Sequence, residues 1–211
     1  MDKGLTLDRI AVFKDGKPLV ALDHHIAPGE VLSVMGPSGI GKSTLLSVVT
    51  GTLPRAFSFT GRVHLDGRDI TDAAPQRRMV GILFQDDLLF PHLSVGANLA
   101  FGLRPGGTRA ARQNRIADAL AEVDLAGFAN RDPATLSGGQ KARVALMRML
   151  LAEPCALLLD EAFGRLDTAL RAQVRDLVFA RARSRALPVL MVTHDAQDAE
   201  AAGGEIVTLG T

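Results

Sequence analysis

A glycine-rich segment with one lysine and one hydroxyl residue is the part of this sequence best suited to bind phosphate. Residues 36–43 match the pattern G-x-x-x-x-G-K-[ST]. Glycines allow a tight turn that brings backbone N–H groups close to phosphate oxygens. Lys42 would reach the β- and γ-phosphates of a nucleotide, and the Ser43 hydroxyl would bind Mg²⁺. The alternative is a glycine-rich turn with a chance lysine. The predicted phosphate-binding residues are Gly36, Pro37, Ser38, Gly39, Ile40, Gly41, Lys42, Ser43 and Thr44.

A second anion-binding segment is predicted at residues 136–140, which read Leu-Ser-Gly-Gly-Gln. Ser137 can cap the helix predicted over residues 141–150. Gly138 and Gly139 leave the first amide groups of that helix uncovered. Alone, this pattern would indicate only a turn and a cap. Together with the phosphate loop upstream and carboxylates downstream, it strongly indicates a second anion-binding helix start, formed by Ser137, Gly138, Gly139 and Gln140.

Two adjacent carboxylates, Asp160 and Glu161, follow the apolar run 156–159. Unpaired charges are costly inside a core, so we expect them at the end of a buried strand. Asp160 would hold Mg²⁺ through water, and Glu161 would polarise the attacking water as a general base. A solvated Asp-Glu turn is the alternative. His194 follows a further apolar run and is predicted to contact the γ-phosphate, although a lone histidine is more often structural.

The predicted strands bring these segments to one edge of a sheet. An apolar run before the phosphate loop and another after it predict a strand, a turn and a helix in that order. Ligands bind at the carboxyl ends of strands in open parallel sheets. Functional residues lie at or beside the ends of four predicted strands, near Met35, Gln85, Asp160 and Thr193.

The predicted fold class is α/β. We expect one domain over residues 1–211, with a P-loop NTPase core over 1–85 and 151–211 and an inserted α-helical subdomain over 86–150. The core begins with an antiparallel β subdomain, in which Asp15-Gly16 is predicted to form a hairpin turn.

The order of these elements resembles the ATP-binding cassette (ABC) ATPases over nearly the whole chain. The sequence L-S-G-G-Q before an arginine-containing helix is close to specific for that family. The chain is most similar to ATPase subunits of bacterial binding-protein-dependent importers near the thiamine, sulfate and iron systems. Within that branch it resembles a little-characterised importer ATPase with a short chain.

The resemblance implies an ATPase that uses ATP and Mg²⁺ at the cytoplasmic face of the bacterial inner membrane. It implies a head-to-tail homodimer in the ATP-bound state, in which Ser137 and Gly139 contact the nucleotide held by the other subunit. Its further partners would be integral membrane permease subunits and, indirectly, a periplasmic or surface solute-binding protein. Those partners would choose the solute.

The resemblance also assigns roles outside the main motifs. Gln85 resembles the Q-loop glutamine, which touches Mg²⁺ or the attacking water, and Asp167 resembles the D-loop residue that crosses to the other subunit. Phe13 stands where such proteins carry an aromatic that stacks on adenine, although a core position is an equally good reading. Ala162 replaces the usual proline and Gly164 the common serine, so we expect reduced or partner-dependent turnover rather than an inactive enzyme.

An uncharged segment over residues 88–103 follows the Q-loop. A core helix with its entry loop would explain this pattern. In the family, this region forms a cleft that receives a short cytoplasmic helix of the membrane subunit. The candidate residues for that surface are Phe84, Leu88, Phe90 and Leu93.

Composition limits the remaining possibilities. At 211 residues and 47% hydrophobic content, the chain can form one sizeable core. A net charge of +1 gives no electrostatic case for nucleic acid or anionic lipid. One cysteine allows no internal disulfide, which fits the reducing cytosol. We expect no signal segment, no membrane helix and no C-terminal regulatory domain.

Two other classes of ABC protein remain as alternatives. One is a cassette of an exporter, or of a complex for lipoprotein release or cell division. The other is a soluble ABC ATPase of DNA repair, chromosome organisation or translation. The segment between the phosphate loop and Ser137 leaves no room for the long coiled coil of the repair and chromosome types, and the translation types usually carry two cassettes.

Overall fold

The computed structural model describes residues 3–86 and 88–210. Within these ranges, the strands are β1 (Leu5–Lys14), β2 (Lys17–Ile26), β3 (Val31–Met35), β4 (Phe57–Leu65), β5 (Arg68–Asp69), β6 (Val80–Phe84), β7 (Ala156–Asp160), β8 (Val189–Thr193) and β9 (Glu205–Thr208). The α-helices are α1 (Lys42–Thr50), α2 (Val95–Gly102), α3 (Arg109–Ala121), α4 (Gly138–Leu150), α5 (Thr168–Ser184) and α6 (Ala196–Ala202). Short 3-10 turns lie at Pro75–Arg77 and Pro133–Thr135.

The chain forms two compact units. The first contains the described residues of Met1–Ile82, Cys155–Glu161 and Phe179–Thr211, and the second contains those of Leu83–Pro154 and Ala162–Val178. The predicted α/β core included all of 151–211, whereas residues 162–178 group with the helical unit. The physical reason is packing, since the beginning of α5 lies against the beginning of α4 within that unit.

An antiparallel sheet forms the first layer of unit one, with strand order β2-β1-β4-β5. The β1–β2 hairpin turns at Asp15 and Gly16, whose φ angles of 50° and 75° suit a primed hairpin turn. Alternate residues of β1 are buried, as expected for a sheet with one face on the core. The predicted antiparallel β subdomain is therefore confirmed.

A parallel sheet with strand order β6-β7-β8-β3-β9 forms the second layer. Val189 lies level with both Val31 and Leu157, so β3, β8 and β7 run side by side. All five residues of β8 are buried, which is typical of a parallel strand covered on both faces. The carboxyl ends of these strands meet at one edge, and the predicted α/β fold class is confirmed.

A buried arginine stabilises the end of helix α1. The Arg78 guanidinium donates hydrogen bonds to the carbonyls of Val48 and Val49 at 2.7 and 3.0 Å, and it also binds the carbonyls of Thr71 and Ala73. Burial lowers its pKa, and the charge of Asp72 opposes that effect. A cation at this end of a helix also complements the helix dipole.

The second unit is built on α2, α3, α4 and the first part of α5. Fully buried Asn98 bonds both to the backbone N–H of Phe90 at 2.8 Å and to the carbonyls of Phe90, Leu93 and Ser94. One amide side chain thus fixes the segment that enters α2. No helix among residues 3–86 and 88–210 combines the length and apolarity needed to cross a membrane.

We predict that Arg78→Met lowers the free energy of unfolding by about 2–4 kcal/mol, because each buried carbonyl left without a donor costs roughly 1–3 kcal/mol. Chemical denaturation of the purified protein measures this. Arg77→Met is the matched control, since Arg77 is exposed on the neighbouring turn and the change should have little effect. Equal stability of the two variants would contradict the structural role of Arg78.

Candidate active site

The phosphate loop connects the end of β3 to the beginning of α1. Gly41 caps α1 with a φ of 106°, a conformation that favours glycine. A Cβ at this position would lie 2.9 Å from the Leu19 side chain. Both its backbone conformation and the close approach of β2 therefore require glycine at the start of this helix.

The ammonium of Lys42 is buried, with only 4% of the residue exposed. It donates hydrogen bonds to the carbonyls of Gly36 and Pro37 at 2.7 and 3.1 Å. Its Nζ also lies 3.9 Å from Glu161 Oε1. The lysine thus sits inside the loop with its charge directed at the backbone and at the end of β7.

Ser43 on α1 and Asp160 at the end of β7 are joined by a hydrogen bond within the first unit. The Ser43 hydroxyl donates a 2.8 Å hydrogen bond to Asp160 Oδ1. Burial raises the pKa of Asp160 above its usual range. The Ser43 hydrogen bond and the charge of Lys42 lower this pKa, while the charge of Glu161 raises it.

Glu161 follows β7 in a strained conformation, with a φ of 48° in the left-handed region. Such backbone costs roughly 1–3 kcal/mol and is concentrated at functional sites. Its N–H donates to the Val192 carbonyl at 3.0 Å, and its Oε1 lies 3.3 Å from Nδ1 of exposed His194. Lys42, Ser43, Asp160, Glu161 and His194 therefore form one cluster within unit one.

The predicted Q-loop residue lies in the second unit. Gln85 is exposed and follows the last residue of β6 directly. The next residue, Asp86, forms an ion pair with Arg165. This pair joins the segment after β6 to the segment before α5 within the same unit, a link that no sequence motif indicated.

Ser137 and Gln140 form a capping box at the start of α4. The Ser137 hydroxyl accepts from the Gln140 N–H at 3.3 Å, and Gln140 Oε1 accepts from the Ser137 N–H at 3.0 Å. The predicted helix cap at Ser137 is confirmed. Ser137 and Gly138 are exposed, whereas Gly139 is buried.

A side chain at Gly139 would fit only if the side chain of Leu170 moved. A Cβ on this residue would lie 2.3 Å from Cδ1 of Leu170, which is much shorter than a van der Waals contact. At Gly138 the nearest atom would be 3.9 Å away, on Leu166, which is an ordinary contact. The Asp167 carboxylate caps the neighbouring helix by accepting from the Leu170 N–H at 3.1 Å.

Phe13 does not line the cleft at the phosphate loop. It lies on β1 opposite Pro18 and Ser58 and is half-buried. A cleft of about 270 Å³ is bordered by phosphate-loop residues and Glu161, and its remaining side chains come from Lys14, Leu19 and Phe57. We call this the phosphate-loop cleft. No motif marked Phe57, because its position depends on the pairing of β4 with β1.

The sequence profile of the ABC transporter family matches residues 19–164. The chain belongs to the ABC transporter family. This ABC chain is 49% identical to the uncharacterized ABC transporter ATP-binding protein YnjD of Escherichia coli strain K12, over 89% of the chain and 86% of that protein. It is 45% identical to the thiamine import ATP-binding protein ThiQ of Cereibacter sphaeroides, over 92% of the chain and 83% of the relative.

A third relative of the ABC chain is the taurine import ATP-binding protein TauB of Pseudomonas entomophila. The two are 41% identical over 97% of the chain and 78% of that protein. The family resemblance found in the sequence is thus confirmed, and the ABC chain is an ATP-binding ATPase. Two of the positions that depart from the family pattern follow Glu161: Ala162 is half-buried and Gly164 is exposed.

The donor set of this ABC chain fits Mg²⁺. Ser43 and Asp160 bring a hydroxyl and a carboxylate oxygen to within 2.8 Å of each other, and Mg²⁺ prefers oxygen ligands. Among the described residues, no group of three or more His, Cys, Asp or Glu forms a metal centre of its own.

We predict that Gly139→Ala destabilises the protein by about 1–3 kcal/mol, because the added methyl group overlaps Leu170. Thermal unfolding would report the loss as a lower Tm. A second substitution, Leu170→Ala, should recover part of that loss by making room for the methyl group. The matched control is Gly138→Ala, which should leave the Tm almost unchanged. A Tm for Gly139→Ala equal to that of the control would refute the packing argument.

Proposed function

We propose that this chain is the ATP-hydrolysing subunit of a bacterial importer, and that it lies at the cytoplasmic face of the membrane and drives separate permease subunits. The observation that carries the catalytic part is the cluster of Lys42, Ser43, Asp160, Glu161 and His194 in unit one. The import part is supported by the relatives of known role, which are named as thiamine and taurine import ATP-binding proteins.

The cluster suits attack of water on the γ-phosphate. Glu161 would accept a proton from the water as the new oxygen–phosphorus bond forms and the bond to the ADP oxygen breaks. Lys42 would offset the negative charge on the β- and γ-phosphates. His194, within 3.3 Å of Glu161, would hold the γ-phosphate on the side of the general base.

Mg²⁺ would be held by Ser43 and, through water, by Asp160. When bound, it would neutralise charge on the β- and γ-phosphate oxygens. The ionised form of Asp160 is the form that binds a cation, so cation binding would oppose the effect of burial on its pKa.

We further propose a homodimer in the ATP-bound state. The start of α4 supports this, because Ser137 and Gly138 are exposed there and present the positive end of a helix. Gly139, Gln140 and Asp167 would lie at the same interface. ATP binding would close two copies around the nucleotides, and hydrolysis would reopen them.

An exposed apolar patch in the second unit suits a membrane partner. Phe84, Leu88 and Phe101 are 44%, 56% and 70% exposed, which is unusual for large apolar side chains. Phe101 packs edge-on against Phe90 at 4.7 Å, and Arg148 lies over the Phe90 ring. Phe101 extends the predicted surface of Phe84, Leu88, Phe90 and Leu93. We propose that this permease-facing patch receives a helix of the permease.

An exporter-type cassette is the second candidate, because the catalytic cluster would serve either direction of transport. The import names of the relatives favour the importer. A soluble role is less favoured, since it leaves the permease-facing patch without a partner.

We predict that Glu161→Gln lowers kcat for ATP hydrolysis by about 100-fold or more while ATP binding is retained. The amide cannot accept the proton, so ATP should accumulate in a dimer that size-exclusion chromatography detects. Glu200→Gln, an exposed change on α6, is the matched control and should hydrolyse at the parent rate. Lys42→Ala should instead lose nucleotide affinity. Full turnover by Glu161→Gln would disprove the general-base assignment.

We predict that the tagged protein, purified from gently solubilised native membranes, brings down a multi-span protein and a solute-binding protein. Phe101→Asp should lose both partners and keep basal ATPase activity, because only the permease-facing patch is changed. Ile206→Asp is the matched control, since Ile206 is an exposed apolar residue of unit one. Mass spectrometry identifies the partners. A membrane partner without a binding protein would favour the exporter, and soluble partners alone would contradict transport.

A further inference from the structure

The phosphate-loop cleft is also lined by three side chains that no phosphate motif contains. Leu19 lies beside the loop itself, as its contact distance from a Cβ at Gly41 shows. Phe57 and Lys14 line the same cleft. The cleft therefore combines phosphate-loop residues with two apolar side chains, one of which is aromatic.

Strand register decides which phenylalanine reaches this cleft. In the β1–β4 pair, Lys14 lies opposite Phe57, and Val12 lies opposite Phe59. Side chains alternate along a strand, so these four share the face that packs against the core, where Val12 is fully buried. Phe13 pairs with Ser58 and belongs to the other face.

The Phe57 ring is held in place by its neighbours. The Lys14 ammonium lies 5.9 Å from the ring centroid, within range of a cation–π contact. Phe57 also packs against the apolar core of unit one while remaining partly exposed. A ring with one side packed and one side open to a cleft is suited to stack on a flat ligand group.

We propose that Phe57, flanked by Lys14 and Leu19, is the surface on which the base of the bound nucleotide stacks, in place of Phe13. This inference rests on the proposed nucleotide site at the phosphate loop. Phosphates held by the loop and a base stacked on Phe57 would use both kinds of residue that line the cleft. The chain contains no Tyr or Trp, so phenylalanine is its only source of an uncharged six-membered aromatic ring.

The test compares Phe57→Ala with Phe13→Ala by calorimetric titration of Mg-ATP. Loss of a base–aromatic stack of about 1–3 kcal/mol corresponds to a fall in affinity of roughly 5–150-fold. We expect this fall for Phe57→Ala and a change below about twofold for Phe13→Ala. Phe57→Leu keeps an apolar packing group and loses the aromatic face, so it should also bind ATP weakly while its Tm stays near that of the parent.

Tripolyphosphate with Mg²⁺ is the base-free probe. All three variants should bind it as the parent does, because none changes the phosphate loop. Loss of ATP affinity in Phe13→Ala with retention in Phe57→Ala and Phe57→Leu would overturn the inference and restore Phe13 as the stacking residue. Unchanged ATP binding in all three variants would also overturn it. If the parent bound neither ATP nor tripolyphosphate, the proposed nucleotide site itself would fail.

Discussion

The buried ammonium of Lys42 is the constraint around which the first unit is organised. A cation with so little exposure is stable only when oxygen atoms surround it. The loop provides two carbonyls because its glycines allow it to fold back on itself, and β7 ends where the Glu161 carboxylate comes within 3.9 Å. The strained backbone of Glu161 is consistent with this arrangement, since it directs one carboxylate toward both Lys42 and His194.

The parts of this site that the sequence predicts are those whose geometry is local. The loop between β3 and α1 is specified by the glycines and lysine of one short segment. The cap of α4 depends on Ser137 and Gln140, three residues apart in one turn. Asp160 and His194 could be placed at the same sheet edge because parallel strands end together. Each of these inferences needs only a motif and the direction of a strand.

The parts that the sequence does not predict depend on pairing and packing between distant segments. β1 shifts register against β2 between Val12 and Phe13. A shift of one residue exchanges the two faces of a strand. The place of Phe13 in a sequence motif therefore does not determine which cleft its ring contacts. Likewise, residues 162–178 join the helical unit because Leu170 packs on Gly139. Nothing in the local sequence of α5 indicates that contact.

In the second unit, most candidate nucleotide contacts also serve the fold of a single chain. Ser137 and Gln140 cap α4, Asp167 caps α5, and Gly139 makes room for Leu170. Their presence in a motif therefore has a structural explanation that is independent of ATP. Gly138 is different, because a Cβ there would make only an ordinary contact with Leu166 and no neighbour within the unit requires glycine. The close approach of a ligand from outside the unit would explain it, which makes Gly138 the strongest internal argument for a nucleotide contact at the start of α4.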